Sequence, residues 1–100
     1  MKTIELFSRA GSFAENKDFA RDIRLNQIIP LLEEGEELVL DFEGVGSATQ
    51  SFIHALISDL IRKYGVEVLD KVYFKNCSAI VKEIINIVVE YMQESAVGGA

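Results

Sequence analysis

The chain is poor in the residues that most often build catalytic centres and covalent cross-links. Its 100 residues include one cysteine, one histidine, one proline and no tryptophan. A single cysteine excludes an internal disulfide, and a single histidine excludes a metal site built on several histidines. The sequence also shows no signal peptide and no apolar run of about twenty residues. These absences predict a cytoplasmic protein that holds no metal and does not associate with membranes.

Positive charge is scarce in most of the chain. Residues 28–100 hold five basic and twelve acidic side chains, whereas residues 1–27 hold five basic and four acidic ones. No lysine and arginine cluster is interleaved with aromatic residues, so we expect no nucleic-acid partner. The length fits one domain. We predict a single domain over residues 1–94 and a flexible tail over residues 95–100.

Apolar periodicity predicts strands and helices in alternation. Strands are expected at 2–7, 37–42 and 71–75, with a further extended stretch at 66–69, and helices at 18–34, 49–64 and about 76–93. Pro30 lies inside the first helix and predicts a kink or two shorter helical pieces. The apolar run from Leu38 to Leu40 predicts a central strand buried on both faces. Helical crossovers of this length predict an α/β fold with a mixed, mostly parallel sheet of about four strands.

The third predicted helix has more apolar surface than one buried face requires. Its apolar residues form two neighbouring stripes: Ile80, Ile84, Ile87, Val88 and Tyr91, and beside them Val81, Ile85, Val89 and Met92. One interpretation is deep burial between the sheet and another helix. The other is an exposed apolar strip for a partner or for a second copy of the chain. The sequence supports both interpretations equally.

The turn at residues 43–51 is the expected location of a functional site. The carboxyl end of a strand and the first amides of a helix meet there. Gly44 and Gly46 suggest a dinucleotide-binding loop, but its third glycine would fall at Thr49. No GKS or GKT phosphate loop is present. Cys77 and His54 lie near the starts of two different helices, and their spacing does not require contact. We therefore expect no cofactor and no enzymatic activity.

Three hydroxyl side chains stand at the entry to the second helix, at Ser47, Thr49 and Ser51. The favoured interpretation is capping, because such side chains accept hydrogen bonds from the first free amides of a helix. The functional alternative is a phosphoacceptor, since a phosphate at a helix start meets those amides and the positive end of the helix dipole. Asp41 is expected to organise the turn by accepting hydrogen bonds from its amides.

One side of the second helix carries a mixed polar surface. Its residues are three or four positions apart and share a side of the helix: Ser51, His54, Ala55, Ser58 and Arg62. Such a surface suits a reversible protein contact, and it also suits plain exposure to solvent.

The segment LVLDFEGVGSATQSF, residues 38–52, resembles the STAS domain of anti-sigma factor antagonists. It is more similar to the STAS-like family of unknown function, whose pattern is Asp-Phe-x-Gly-Val followed by a Ser-Gln-Ser-Phe-type turn. The first part of that pattern falls on Asp41, Phe42, Gly44 and Val45, and the second part falls on residues 49–52. The resemblance covers about residues 15–93.

The resemblance implies a regulatory protein-interaction module that binds its partner through the turn and helix start at 43–52. Antagonists of this kind bind a histidine-kinase-type ATPase that acts as a serine kinase, and the acceptor position falls on Ser51. The positions that the resemblance and the polar helix face assign to partner binding are Gly44, Gly46, Ser47, Thr49, Gln50, Ser51, His54 and Ser58. The antagonists' Asp and Gly are replaced by Thr49 and Phe52, so the STAS-like group is also compatible with a partner surface that is not phosphorylated.

Two further hypotheses remain beside this one. The first is a sensor of a small ligand or nucleotide, in which backbone amides at 47–52 hold an anion. The second is a homodimeric scaffold that uses the apolar third helix.

Overall fold

The computed structural model describes residues 1–98 and the side chains of residues 1–94. The strands are β1 (Lys2–Glu5), β2 (Phe13–Ala14), β3 (Leu38–Asp41), β4 (Ser47–Ala48) and β5 (Val72–Lys75). The helices are α1 (Phe7–Ala10), α2 (Lys17–Ile23), α3 (Ile29–Glu33), α4 (Gln50–Tyr64) and α5 (Ala79–Gly98). A π-helical turn, Arg24–Ile28, joins α2 to α3, and a 3₁₀ helix, Val66–Asp70, precedes β5.

All strand pairs in the described part of the chain are parallel. Three strands form a sheet in the order β1-β3-β5, and β2 pairs with β4 in a separate two-stranded sheet. This confirms the predicted α/β fold with β3 at its centre, although five strands in two sheets replace about four in one. The sequence did not reveal β2 and β4, because a strand of two residues carries no periodicity.

The central strand β3 has one covered face and one partly open face. Leu38 and Leu40 are fully buried, whereas Val39 is only half-buried. Val39 lies in register with Thr3 and Tyr73, and both of these neighbours are exposed. The prediction that β3 is buried on both faces was therefore wrong. In this strand the apolar run corresponds to full burial of alternate residues only, as in a sheet with one solvated face.

The predicted helix over 18–34 is divided by the π-helical turn into α2 and α3, so the prediction of two pieces near Pro30 is confirmed. Proline has no N–H to donate and crowds the preceding turn, which a wider π turn relieves. The extra residue in that turn also rotates the side-chain pattern. As a result, the apolar Leu25 is 46% exposed, whereas the charged Arg24 beside it is buried.

The other element boundaries follow local signals closely. Helix α4 ends before Gly65, whose φ of +84° favours glycine, as predicted. The first strand was predicted over 2–7 but ends at Glu5; Phe7 is exposed at the start of α1, whereas Leu6 is buried. Residues 66–69 were expected to be extended and form the 3₁₀ helix. Helix α5 continues past the predicted end at residue 93 to Gly98. The predicted flexible tail, 95–100, lies partly outside the described residues and stays a prediction.

Helix α5 has both a buried apolar side and an exposed apolar side, the two features that the sequence left open. Four residues of its inner side are buried: Val81, Ile85, Val88 and Met92. Ile80, Ile87 and Tyr91 remain exposed on another side of the same helix. In the part of the chain that the structure describes, no helix combines the length and apolar character needed to cross a membrane.

Candidate functional site

The carboxylate of Asp41 links the carboxyl ends of the neighbouring strands β3 and β5. Its Oδ1 accepts a hydrogen bond from the Glu43 amide at 2.9 Å and another from Asn76 Nδ2 at 3.0 Å. Asn76 follows β5 with a left-handed φ of +58°, a conformation that asparagine tolerates better than most residues. Both hydrogen bonds favour the ionised carboxylate, that of Asn76 most, and lower the pKa of Asp41 below its ordinary value of 3.8. Asp41 thus makes the contacts expected of a residue that organises the turn.

Gly44 is required by both the backbone and the packing of the turn. Its φ is +88°, in the left-handed region, and a Cβ at this position would stand 2.7 Å from the Phe7 ring. Gly46 differs, because a Cβ there would come no closer than 3.8 Å to the Ser12 carbonyl oxygen. Between these glycines, Val45 is 2% exposed and anchors the turn to the core.

The second half of the turn is fastened to β2 by backbone hydrogen bonds. The amides of Gly46 and Ser47 both donate to the Ser12 carbonyl, at 2.9 and 3.2 Å, and the Thr49 amide donates to the Ala14 carbonyl at 2.9 Å. The Ser78 hydroxyl donates to the Gly46 carbonyl at 2.8 Å, which connects the turn to the start of α5. These hydrogen bonds fix the conformation of the turn, although much of its surface is exposed.

The hydroxyl side chains at the start of α4 have different roles. Thr49 is the N-cap, and its Oγ1 accepts a hydrogen bond from the Phe52 amide at 3.1 Å, so the capping prediction is confirmed for Thr49. Ser51, on the first turn of α4, is exposed, as is Gln50. Both line a cavity of about 510 Å³ together with Lys17, His54 and Ala55.

Half of the amides at 47–52 are occupied by the protein itself. Those of Ser47, Thr49 and Phe52 already donate to protein oxygens. The hypothesis that amides at 47–52 hold an anion therefore has fewer free donors than the sequence suggested.

His54 and Ser58 lie one helical turn apart on α4 and contact each other. The Ser58 hydroxyl and His54 Nδ1 are 3.2 Å apart, and the His54 ring centroid is 6.4 Å from that of Tyr91 on α5. Ser58 is 2% exposed, whereas His54 is half-buried at the surface. The role of both residues in partner binding stays a prediction.

Residues of α2 and of the π-helical turn, which the sequence did not assign to a site, line a second cavity beside α4. This cavity, of about 360 Å³, lies between α2 and α4, and Lys17, Arg21 and Arg24 contribute to its lining. The spacing of these cations at 17, 21 and 24 is that of one helix face, which was the available signal. Their position beside α4 depends on tertiary packing.

Cys77 shows no feature of an activated thiol. Its Sγ lies 4.0 Å from the Lys75 carbonyl oxygen, and burial is the largest cause of the rise in the pKa of the thiol above its ordinary value. Cys77 is therefore a small, partly buried thiol. Within residues 1–98, no group of three or more His, Cys, Asp or Glu residues is placed to hold a metal ion.

Parallel strands joined by helical crossovers, with an exposed turn after the central strand, define a small α/β domain with its candidate site at the carboxyl edge of the sheet. The chain belongs to the family described as the STAS-like domain of unknown function (DUF4325), whose model matches residues 20–82. The resemblance of the sequence to the STAS-like family is thereby confirmed. No curated protein and no solved structure matches the chain.

Proposed function

We propose that this protein is a non-enzymatic regulatory module that binds a protein partner through an exposed platform, residues 43–54. The observation that carries the proposal is that this platform is exposed at Glu43, Gly44, Gln50 and Ser51 and yet firmly held. Its backbone amides donate to the carbonyls of Ser12 and Ala14 and to the Asp41 carboxylate, and one of its carbonyls accepts a hydrogen bond from the Ser78 hydroxyl. A preorganised surface loses little conformational entropy on association, which favours binding.

The proposed partner is a histidine-kinase-type ATPase that acts as a serine kinase. This class follows from the similarity of residues 38–52 to anti-sigma factor antagonists, and Ser51 is the proposed phosphoacceptor. The Ser51 side chain is exposed, so a kinase could reach its hydroxyl without unfolding α4.

A phosphate on Ser51 is compatible with the fold. Ser51 lies in the first turn of α4, where a negative charge interacts favourably with the free amides and the helix dipole by about 0.3–1 kcal/mol. Lys17 lines the same cavity and provides a positive charge on the facing helix. Phosphorylation would therefore preserve α4 while making the platform strongly negative, which is the behaviour required of a switch.

The test is capture of partners from the native host by wild type, Ser51→Glu, Ser51→Ala and Gln93→Glu. Ser51→Ala removes only the hydroxyl, and Gln93→Glu adds one negative charge at an exposed position of α5. The proposal predicts that an ATPase-type kinase is retained by wild type, Ser51→Ala and Gln93→Glu and is lost with Ser51→Glu. Equal capture by all four proteins would contradict the proposed switch, because Ser51 would then be a surface residue without a switching role.

A homodimer through α5 is the second candidate. Ile80, Ile87 and Tyr91 are 52%, 43% and 58% exposed, and together they present an apolar strip along one helix. Sedimentation should then show a dimer for wild type and a monomer for Ile87→Lys. A wild-type monomer at millimolar concentration would exclude this candidate.

A further inference from the structure

The seam between α2 and α4 forms a groove in which positive charge is concentrated, although the whole chain has a formal net charge of −6. The groove has a volume of about 360 Å³. Charged side chains of both signs line it, with the cations in excess: Lys17, Arg21, Arg24 and Arg62 against Asp18 and Asp59.

Arg24 is the buried member of this group. It is 8% exposed, and its Nη1 donates to the Ala55 carbonyl and lies 3.1 Å from Asp59 Oδ2. Its Nε is buried without any hydrogen-bond partner. Leaving a buried donor unpaired is unfavourable, so the protein groups around Arg24 satisfy its guanidinium only in part.

The acidic residues do not neutralise the groove. Asp59 pairs with Arg24 and also with Arg62, so one carboxylate is shared between two guanidinium groups. Lys17 and Arg21 stand one helical turn apart on α2 and are both exposed. Two exposed cations thus flank a buried cation whose hydrogen bonding is incomplete.

The groove continues toward the start of α4. The neighbouring cavity, of about 510 Å³, shares Lys17, His54 and Ala55 with it. Cavities of this size are typical of small-molecule sites, which span about 300–1,000 Å³. The combined space suits an elongated ligand with one strongly charged end.

We infer that the α2–α4 groove binds a small molecule carrying a phosphate group, which is held by the exposed side chains of Lys17 and Arg21 beside the buried charge of Arg24. Guanidinium groups bind phosphate oxygens through paired N–H donors, and such charge-assisted hydrogen bonds are among the strongest in proteins. Arg24 Nε is enclosed by protein, so Arg24 contributes its positive charge at the wall of the groove. The inference goes beyond the proposed partner platform and does not depend on it.

The test is titration with inorganic pyrophosphate, followed by amide chemical shifts at constant ionic strength. Saturable shifts are expected at residues 17–24 and 54–62. Arg21→Gln should weaken binding about threefold to tenfold, because one charge-assisted contact is lost from an exposed side chain. Lys71→Gln, which removes an exposed charge outside this groove, is the matched control and should bind like wild type.

Asp59→Asn provides a test that a folding defect cannot imitate. It removes the carboxylate that competes for Arg24 and Arg62, so pyrophosphate should bind several-fold more tightly. Weaker binding by Asp59→Asn, equal loss with Arg21→Gln and Lys71→Gln, or shifts spread over all basic residues would each overturn the inference.

Discussion

Replacing Gly44 by alanine tests whether the platform is as tightly organised as its contacts indicate. An alanine there must keep a φ of +88°, which costs an L-residue about 1–2 kcal/mol. Its Cβ must also displace the Phe7 ring from a 2.7 Å approach, and moving a side chain off its preferred rotamer costs about 0.5–1.5 kcal/mol. Alanine also restricts the unfolded chain more than glycine does, and this offsets about 0.4–1 kcal/mol of the loss in stability.

The expected net loss in the free energy of unfolding is about 0.5–3 kcal/mol, or at least about 2 °C in melting temperature for a chain of this size. Gly46→Ala is the matched control, because its Cβ meets nothing closer than 3.8 Å. It should raise the free energy of unfolding by about 0.4–1 kcal/mol, because only the effect on the unfolded chain remains. Both variants can be compared with wild type by urea unfolding followed by circular dichroism.

A double-mutant cycle separates the two causes. In a Phe7→Ala background the steric contact is gone, so Gly44→Ala should cost only the backbone share. Equal urea midpoints for Gly44→Ala and Gly46→Ala would refute the reasoning, since the turn would then adjust without cost.

Three other local features give simple expectations. Thr49→Ala should lower the stability by about 1 kcal/mol through loss of the N-cap, whereas Thr49→Ser should retain most of it. The depressed pKa of Asp41 stabilises the fold above pH 3.8, and this contribution is lost as the pH falls through the folded-state value. Asn76→Ala should raise that pKa toward 3.8 in a carboxyl NMR titration, and an unchanged value would contradict the assigned cause. Cys77 should react with iodoacetamide at pH 7 more slowly than a free thiol, because burial raises its pKa; faster labelling would oppose this.

Sequence reasoning succeeded where a signal is local. Thr49 and Gly65 mark the two ends of α4 by side-chain capping and by left-handed backbone, and both ends were predicted correctly. The apolar run of β3 located the central strand. The Asp41–Asn76 hydrogen bond joins residues 35 positions apart, so its partner could not be named from the sequence.

The missed features depend on packing between distant segments. The π-helical turn shifts the side-chain pattern after Ile23, which exposes Leu25 and buries Arg24. A regular helical period would place these two residues differently. The cationic groove could not be predicted for the same reason, since it forms only when α2 packs against α4.

We propose above all that residues 43–54 form a partner-binding platform. The most direct measurement is hydrogen–deuterium exchange of this protein, alone and with the partner captured by the wild type. We predict slower exchange on binding within residues 43–54, with little change at 66–75. Protection confined to α5 or to the 66–75 segment, with unchanged exchange at 43–54, would contradict the claim.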